Sequence, residues 1–181
     1  KILTQLKKHL DEKKYLRITR GLKKDFSVIS TGYPIDVSEA FTLIKNVDDF
    51  LIDGYIIIPI DRIRKLRYNG NDKYYDFISK SEFSEKELTI KDIKVNIDSW
   101  KSIFEDLKSL NKTIISECEK YKHNYFAIGK INSITEESVF IDYFNAQGVM
   151  DKEPVEHKFK WITKVTFDDN YSKVFSKYVK K

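Results

Sequence analysis

Along this chain the spacing of apolar positions switches from helical to strand-like, and the switch occurs twice in the same order. Ile2, Leu3, Leu6 and Leu10 recur at helical spacing among lysines up to Lys14, which predicts a short amphipathic helix. From Tyr15 to Arg20 the period becomes two, with Leu16 and Ile18 against Arg17 and Thr19, and the turn segment Gly21-Leu22-Lys23-Lys24-Asp25 follows. Phe26 to Val37, Ala40 to Asn46, Gly54 to Ile60 and Ile63 to Tyr68 read as four more strands, with Asp53-Gly54 as a tight reversal. Pro34 is expected at a bulge and Pro59 at a strand end, because proline has no N–H to give a ladder. The second pass opens on Trp100, Ile103, Phe104, Leu107 and Leu110, a helical stripe behind Asp98 or Ser99 as N-cap. Strands then follow at Thr113 to Cys118, Tyr125 to Ile134, Ser138 to Phe144, Val155 to Lys160 and Trp161 to Phe167. Each pass ends in a helical tail, carried by Tyr74, Phe77 and Ile78 in one and by Tyr171, Val174, Phe175 and Tyr178 in the other.

The two passes read as copies of one unit. Gly32 and Gly129 lie 97 residues apart (129 − 32), Leu43 and Ile141 98 apart, and Ile63 and Ile162 99 apart, a drift that two single-residue loop insertions would give. The residues that carry the likeness are Gly32-Tyr-Pro-Ile-Asp-Val-Ser-Glu-Ala-Phe-Thr-Leu and Gly129-Lys-Ile-Asn-Ser-Ile-Thr-Glu-Glu-Ser-Val-Phe-Ile, with the closing Ile63-Arg64-Lys65 and Ile162-Thr163-Lys164. A helix followed by five short, bent strands with a glycine in the second is similar to the Sm-like and wider SH3-like small-barrel group. That resemblance implies a mainly β, α+β chain of two tandem five-stranded barrels, each preceded by an amphipathic helix. The units span 1–78 and 98–181, and the connector 79–97 reads as an extended strand at Ile93, Val95 and Ile97. RNA-binding Sm proteins place an Asp and an Asn between the second and third strands and an Arg-Gly after the fourth. Here the loops read Ser38-Glu39-Ala40 and Thr135-Glu136-Glu137-Ser138, and Ile63-Arg64 is followed by Lys65, so the resemblance implies the barrel rather than that pocket.

Composition narrows the picture modestly. The net charge is +5, but the excess is spread thinly: residues 1–14 carry 5 basic against 2 acidic groups, and residues 15–78 hold 10 against 9. No apolar run approaches the ~18 residues of a membrane span, and no basic-then-apolar leader opens the chain, which makes a cytoplasmic, non-membrane protein the expectation. The first residue is a lysine, which leaves room for a trimmed N-terminal segment. A single cysteine, Cys118, rules out an intrachain disulfide, and His9, His123 and His157 fit no zinc spacing, so neither metal nor cofactor is expected.

All five arginines fall in the first unit: Arg17 and Arg20 at its first strand, and Arg62, Arg64 and Arg67 at its last. First and last strands neighbour each other in small barrels, so Arg17, Arg62, Arg64 and Arg67 are the candidate binding face, with Tyr15, Tyr68 and Tyr74 to stack on bases or peptide groups. The competing reading makes them edge-strand charges paired with Asp61, Asp72 and Asp76. Cys118 is expected to point inward, His157 outward, and the acidic pairs Asp48-Asp49, Glu136-Glu137 and Asp168-Asp169 to occupy turns. With no phosphate loop or nucleophile elbow present, the sequence points to a non-enzymatic interaction protein that offers barrel edges and an aromatic-basic face to a protein partner. Nucleic-acid binding through the arginines is the alternative, and self-association through barrel edges is a further expectation.

Overall fold

The computed structural model describes residues 1–23, 26–119 and 125–180. The first half runs α1 (Ile2–Asp11), β1 (Leu16–Lys23), β2 (Phe26–Val37), β3 (Phe41–Asp48), β4 (Leu51–Pro59), a 3₁₀ turn (Ile60–Arg62), β5 (Ile63–Arg67) and α2 (Gly70–Glu82). After α3 (Glu85–Thr89), the second half repeats the order as α4 (Trp100–Ser109), β6 (Thr113–Cys118), β7 (Tyr125–Ile134), β8 (Ser138–Tyr143), β9 (Val155–Lys158), a 3₁₀ turn (Phe159–Trp161), β10 (Lys164–Phe167) and α5 (Asn170–Phe175). The turn expected at 21–25 lies partly outside the described residues.

The strands do not close into two separate barrels. They form one open antiparallel sheet in the order β5-β1-β2-β3-β4-β10-β6-β7-β8-β9. Each half contributes the same internal order, fifth strand beside first and then second, third and fourth. The halves join where β4 takes β10 alongside it, through Ile57↔Val165, Ile56↔Thr166 and Tyr55↔Phe167.

This joint explains a stretch of sequence that alternation cannot. Ile56, Ile57 and Ile58 are all buried, because both faces of β3 and β4 are covered. Ile44, Ile56 and Ile58 pack with Leu6, Leu16, Ile18 and Ile63 in the first half's own core. Leu43 and Ile57 face the other way, into a core shared with Ile103, Phe104, Leu107, Ile141, Val165 and Phe167.

The repeat is sharper in the structure than in the sequence. Gly32 pairs with Asn46 and Gly129 with Tyr143, and the ladder irregularity beside each falls between Pro34 and Asp36 and between Ile131 and Ser133. Pro34 therefore sits at the expected bulge, and Pro59 ends β4 as expected. A Cβ on Gly32 would overlap the carbonyl oxygen of Lys45, and one on Gly129 that of Asp142, which is why both copies keep glycine where the second strand crosses the third. The structural partner of Ile141 is Ile44, not Leu43, so the offset stays at 97 through the third strand and becomes 99 at the fourth, where Ile56 matches Val155.

Three other expectations give way. The reversal between β3 and β4 is made by Asp49 and Phe50, both at positive φ, while Gly54 lies inside β4. The connector is no strand: it holds α3, then runs unpaired and tucks Val95 and Ile97 into the shared core. His157 is buried, at 2% exposure, where the alternation in β9 suggested an outward side chain.

Candidate functional site

The first and last strands of the first half are neighbours, as expected: Arg17 lies opposite Arg67, and Thr19 opposite Lys65. Cross-strand partners project on the same face, so Arg17 and Arg67 form one outward pair. The positive charge of that pair is met locally. Arg67 donates from Nε and Nη2 to the two carboxylate oxygens of Asp72, both at 2.8 Å. Burial alone would raise Asp72; the Arg67 hydrogen bonds and the Asn69 backbone N–H outweigh it and hold the carboxyl below its usual value, with Arg17 adding to the effect. Asp72 is placed there by the capping box that starts α2, in which its carboxylate accepts from Asn69 N–H.

Arg62 and Arg64 do not join this pair. Arg62 sits on the 3₁₀ turn, 3.5 Å from Asp61, and donates to the Lys160 carbonyl of the second half at 3.1 Å. Arg64 is exposed and its side chain lies over Gly21. The tyrosines divide as well. Tyr15 is buried between Tyr33 and Tyr75, and Tyr68 donates to Asp76 at 2.9 Å beneath Lys14, with its hydroxyl pushed up to about 12 by burial and by the Asp76 bond. Tyr74 alone of the three is exposed, at 64%, beside the equally exposed Phe77 on α2. An aromatic pair on α2 therefore faces solvent, while Arg67 on the strand before that helix is paired with Asp72.

Arg20, by contrast, is inside the protein. It is 1% exposed, alternating inward with Leu16 and Ile18, and its guanidinium grips the Glu119 carboxylate at the end of β6 with both Nη atoms. Thr163 donates to the same carboxylate at 2.6 Å. Burial pushes Glu119 up, but Arg20 and Thr163 overcome it and hold the carboxyl down. A strand pattern that places a lone arginine on the apolar side is the signal for such a pair, though its partner 99 residues away in sequence is not legible.

A second buried polar group lies in the second half. His157 Nδ1 is 2.8 Å from Ser116 Oγ and 3.7 Å from Cys118 Sγ. Burial lowers the imidazole to about 4 and raises the thiol to about 12. Both are neutral at pH 7, so the pair supplies neither the thiolate nor the imidazolium that nucleophilic cysteine chemistry uses. His123, close to Cys118 in sequence, lies outside the described residues.

The joint itself has a built contact. Gly54, at φ +69°, lies where an added Cβ would come within 2.5 Å of the Phe167–Asp169 backbone. Asn170 N–H donates to Asp53 at 2.7 Å beside it. At the corresponding place, just before β9, the chain has Glu153 and Pro154, by the offset of 99. Among the described residues β5 has β1 on one side and no strand on the other, and β9 has only β8. Among them, too, no helix is long and apolar enough to cross a membrane, and no cluster of three or more His, Cys, Asp or Glu side chains is placed to hold a metal ion. Comparison of the chain with protein-family models, curated proteins and solved structures gives no match.

Proposed function

We propose that the chain is a non-enzymatic interaction protein built from two tandem Sm/SH3-like units, and that β5 is the edge it offers to a protein partner. The observation that carries this reading is the difference between β5 and β10. Both are the fifth strand of their half, and β10 lies between β6 and β4, whereas among the described residues β5 lies beside β1 alone. By the offset of 99 that aligns Arg67 with Thr166, the residues that match the joint are Leu66 and Arg67 of β5 and Tyr68 just after it. An extended partner segment added there would gain main-chain hydrogen bonds, and Arg64 and Lys65 would favour an acidic one. Tyr74 and Phe77 supply exposed aromatic area on α2, the helix that follows β5 in the chain.

A second copy fits the edge less well than a different protein. The segment leading into its β9 would bring Glu153 and Pro154 to the place where the internal joint has Gly54 and Tyr55, adding a side chain at the tightest contact and removing an N–H. The nucleic-acid reading of the arginine face is also the weaker one, since Arg67 is tied to Asp72, Arg62 lies by Asp61, and Arg20 is buried on Glu119. The test is capture of partners on immobilised wild-type protein and on Arg64→Glu/Lys65→Glu, followed by amide exchange of the purified complex. A partner lost in the variant that protects the amides of Leu66, Arg67 and Tyr68 supports the reading. Protection confined to other strands contradicts it.

A further inference from the structure

Between the end of α4, β6, β7 and α5 lies a cavity of about 390 Å³ whose lining includes Lys112, Lys130, Lys173, Lys177, Asp168 and Ser176. Four ammonium groups thus share one carboxylate. Lys112 takes it, at 2.6 Å from Asp168, and Lys130 turns its Nζ to the carbonyl of Asn111. Loss of hydration, then the charge of Lys112, pull Lys130 below the ordinary lysine value despite Asp168.

The first half shows what this place is like when it is filled. Tyr33 matches Lys130 by the offset of 97 on the second strand, Lys14 matches Lys112 by that of 98 at the helix end, and Lys73, Asp76 and Phe77 match Lys173, Ser176 and Lys177 by the offset of 100 that aligns the helix caps Asn69 and Asp169. There the centre is an anion. The Asp76 carboxylate, 5% exposed, accepts from Tyr33 at 2.8 Å and Tyr68 at 2.9 Å and pairs with Lys80 at 3.0 Å. In the second half Ser176 stands where that carboxylate stood, and Lys130 and Lys177 stand where the first half has Tyr33 and Phe77.

We infer that the second half binds a phosphate group in this cavity, held by Lys112, Lys130, Lys173 and Lys177 in the place that Asp76 fills from within the first half. A multiply charged anion matches three unneutralised lysines better than a single carboxylate does, and lysines engage phosphate as mobile point charges. The cavity falls within the roughly 300–1,000 Å³ range of small-ligand sites.

The experiment is calorimetric titration of the full chain with pyrophosphate at low salt, with amide chemical shifts recorded in parallel. Binding is expected to shift Lys112, Lys130 and Ser176, and to weaken by about tenfold in Lys173→Ala/Lys177→Ala, a loss of about 1.4 kcal/mol. Both lysines are exposed, and an unchanged melting temperature will show that this variant folds. A second variant, Lys130→Tyr/Ser176→Asp, installs the first half's internal anion and is expected to abolish binding. ADP and a short oligothymidylate, compared at equal phosphate concentration, tell a small-molecule source from a polynucleotide one; lysine-dependent binding of either supports the site. No binding of any of the three at millimolar concentration, or equal binding by wild type and both variants, overturns it.

Discussion

The two halves share a backbone and differ in where their charges are spent. In the first, Asp72 and Asp76 lie buried at α2 and draw Arg67, Tyr33, Tyr68 and Lys80 onto themselves. In the second, the matching helix begins at Asp169, which turns inward to cap Ser172, and Ser172 and Ser176 replace the two carboxylates. One half is closed by its own acids and the other is left basic. The comparison teaches that a repeated strand order fixes the geometry of a surface without fixing its chemistry.

The largest expected effect tests the buried pair. Arg20→Ala leaves Glu119 inside without its cation and should destabilise the protein by about 4 kcal/mol in denaturant unfolding. In the second half Arg20 is matched by Cys118, and the nearby ion pair Glu117–Lys164 is partly exposed, so Glu117→Ala should cost under about 1 kcal/mol. Equal losses would mean that Arg20 does not hold the halves together.

Next is the joint. Gly54→Ala forces a side chain onto a left-handed residue and against the Asp168–Asp169 backbone, and should cost about 3 kcal/mol, whereas Glu153→Ala at the matching place should stay within about 0.5 kcal/mol.

Acid should act on the second half first. The folded His157 imidazole titrates at about 4 against an ordinary 6.5, so the unfolded chain takes up the proton first as pH falls. Stability contributed by the neutral imidazole is intact above pH 6.5, declines between about 6.5 and about 4, and amounts to up to about 3 kcal/mol. The matched residue in the first half is Ile58, and His157→Ile should flatten this limb of the pH profile. An unchanged acid limb in that variant would move the cause elsewhere.

The smallest effect exchanges the helix chemistry. Asp76→Ser strands the hydroxyls of Tyr33 and Tyr68 and should cost about 2 kcal/mol, while Ser176→Asp, placed among lysines, should stabilise by up to about 1 kcal/mol in thermal unfolding.

Much of this frame was legible in the sequence because it is local. Helical spacing from Ile103 to Leu107, the glycine pair and the proline positions each report on a residue and its near neighbours, and Cys118 points inward as its alternation implies. The candidate site was legible only in part. Alternation places Arg17 outward and the strand order puts it beside Arg67, but it cannot show that a helix cap would bring Asp72 to them. The pairing of β4 with β10, the meeting of Arg20 with Glu119 and the burial of His157 are long-range facts. A strand pattern gives the face a residue takes, not the element that covers that face. For the same reason Gly54 reads as a turn residue beside Asp53, although its freedom is used inside a strand against the other half of the chain.

Native-state amide hydrogen exchange at the joint tests the central claim most directly. The amides of Tyr55, Ile56 and Ile57 on β4 and of Val165, Thr166 and Phe167 on β10 should exchange only through global unfolding, while the outer-edge amides of β5 exchange far faster. Joint amides that exchange as fast as those of β5 would contradict a single sheet in which the fifth strand is paired in one half and open in the other.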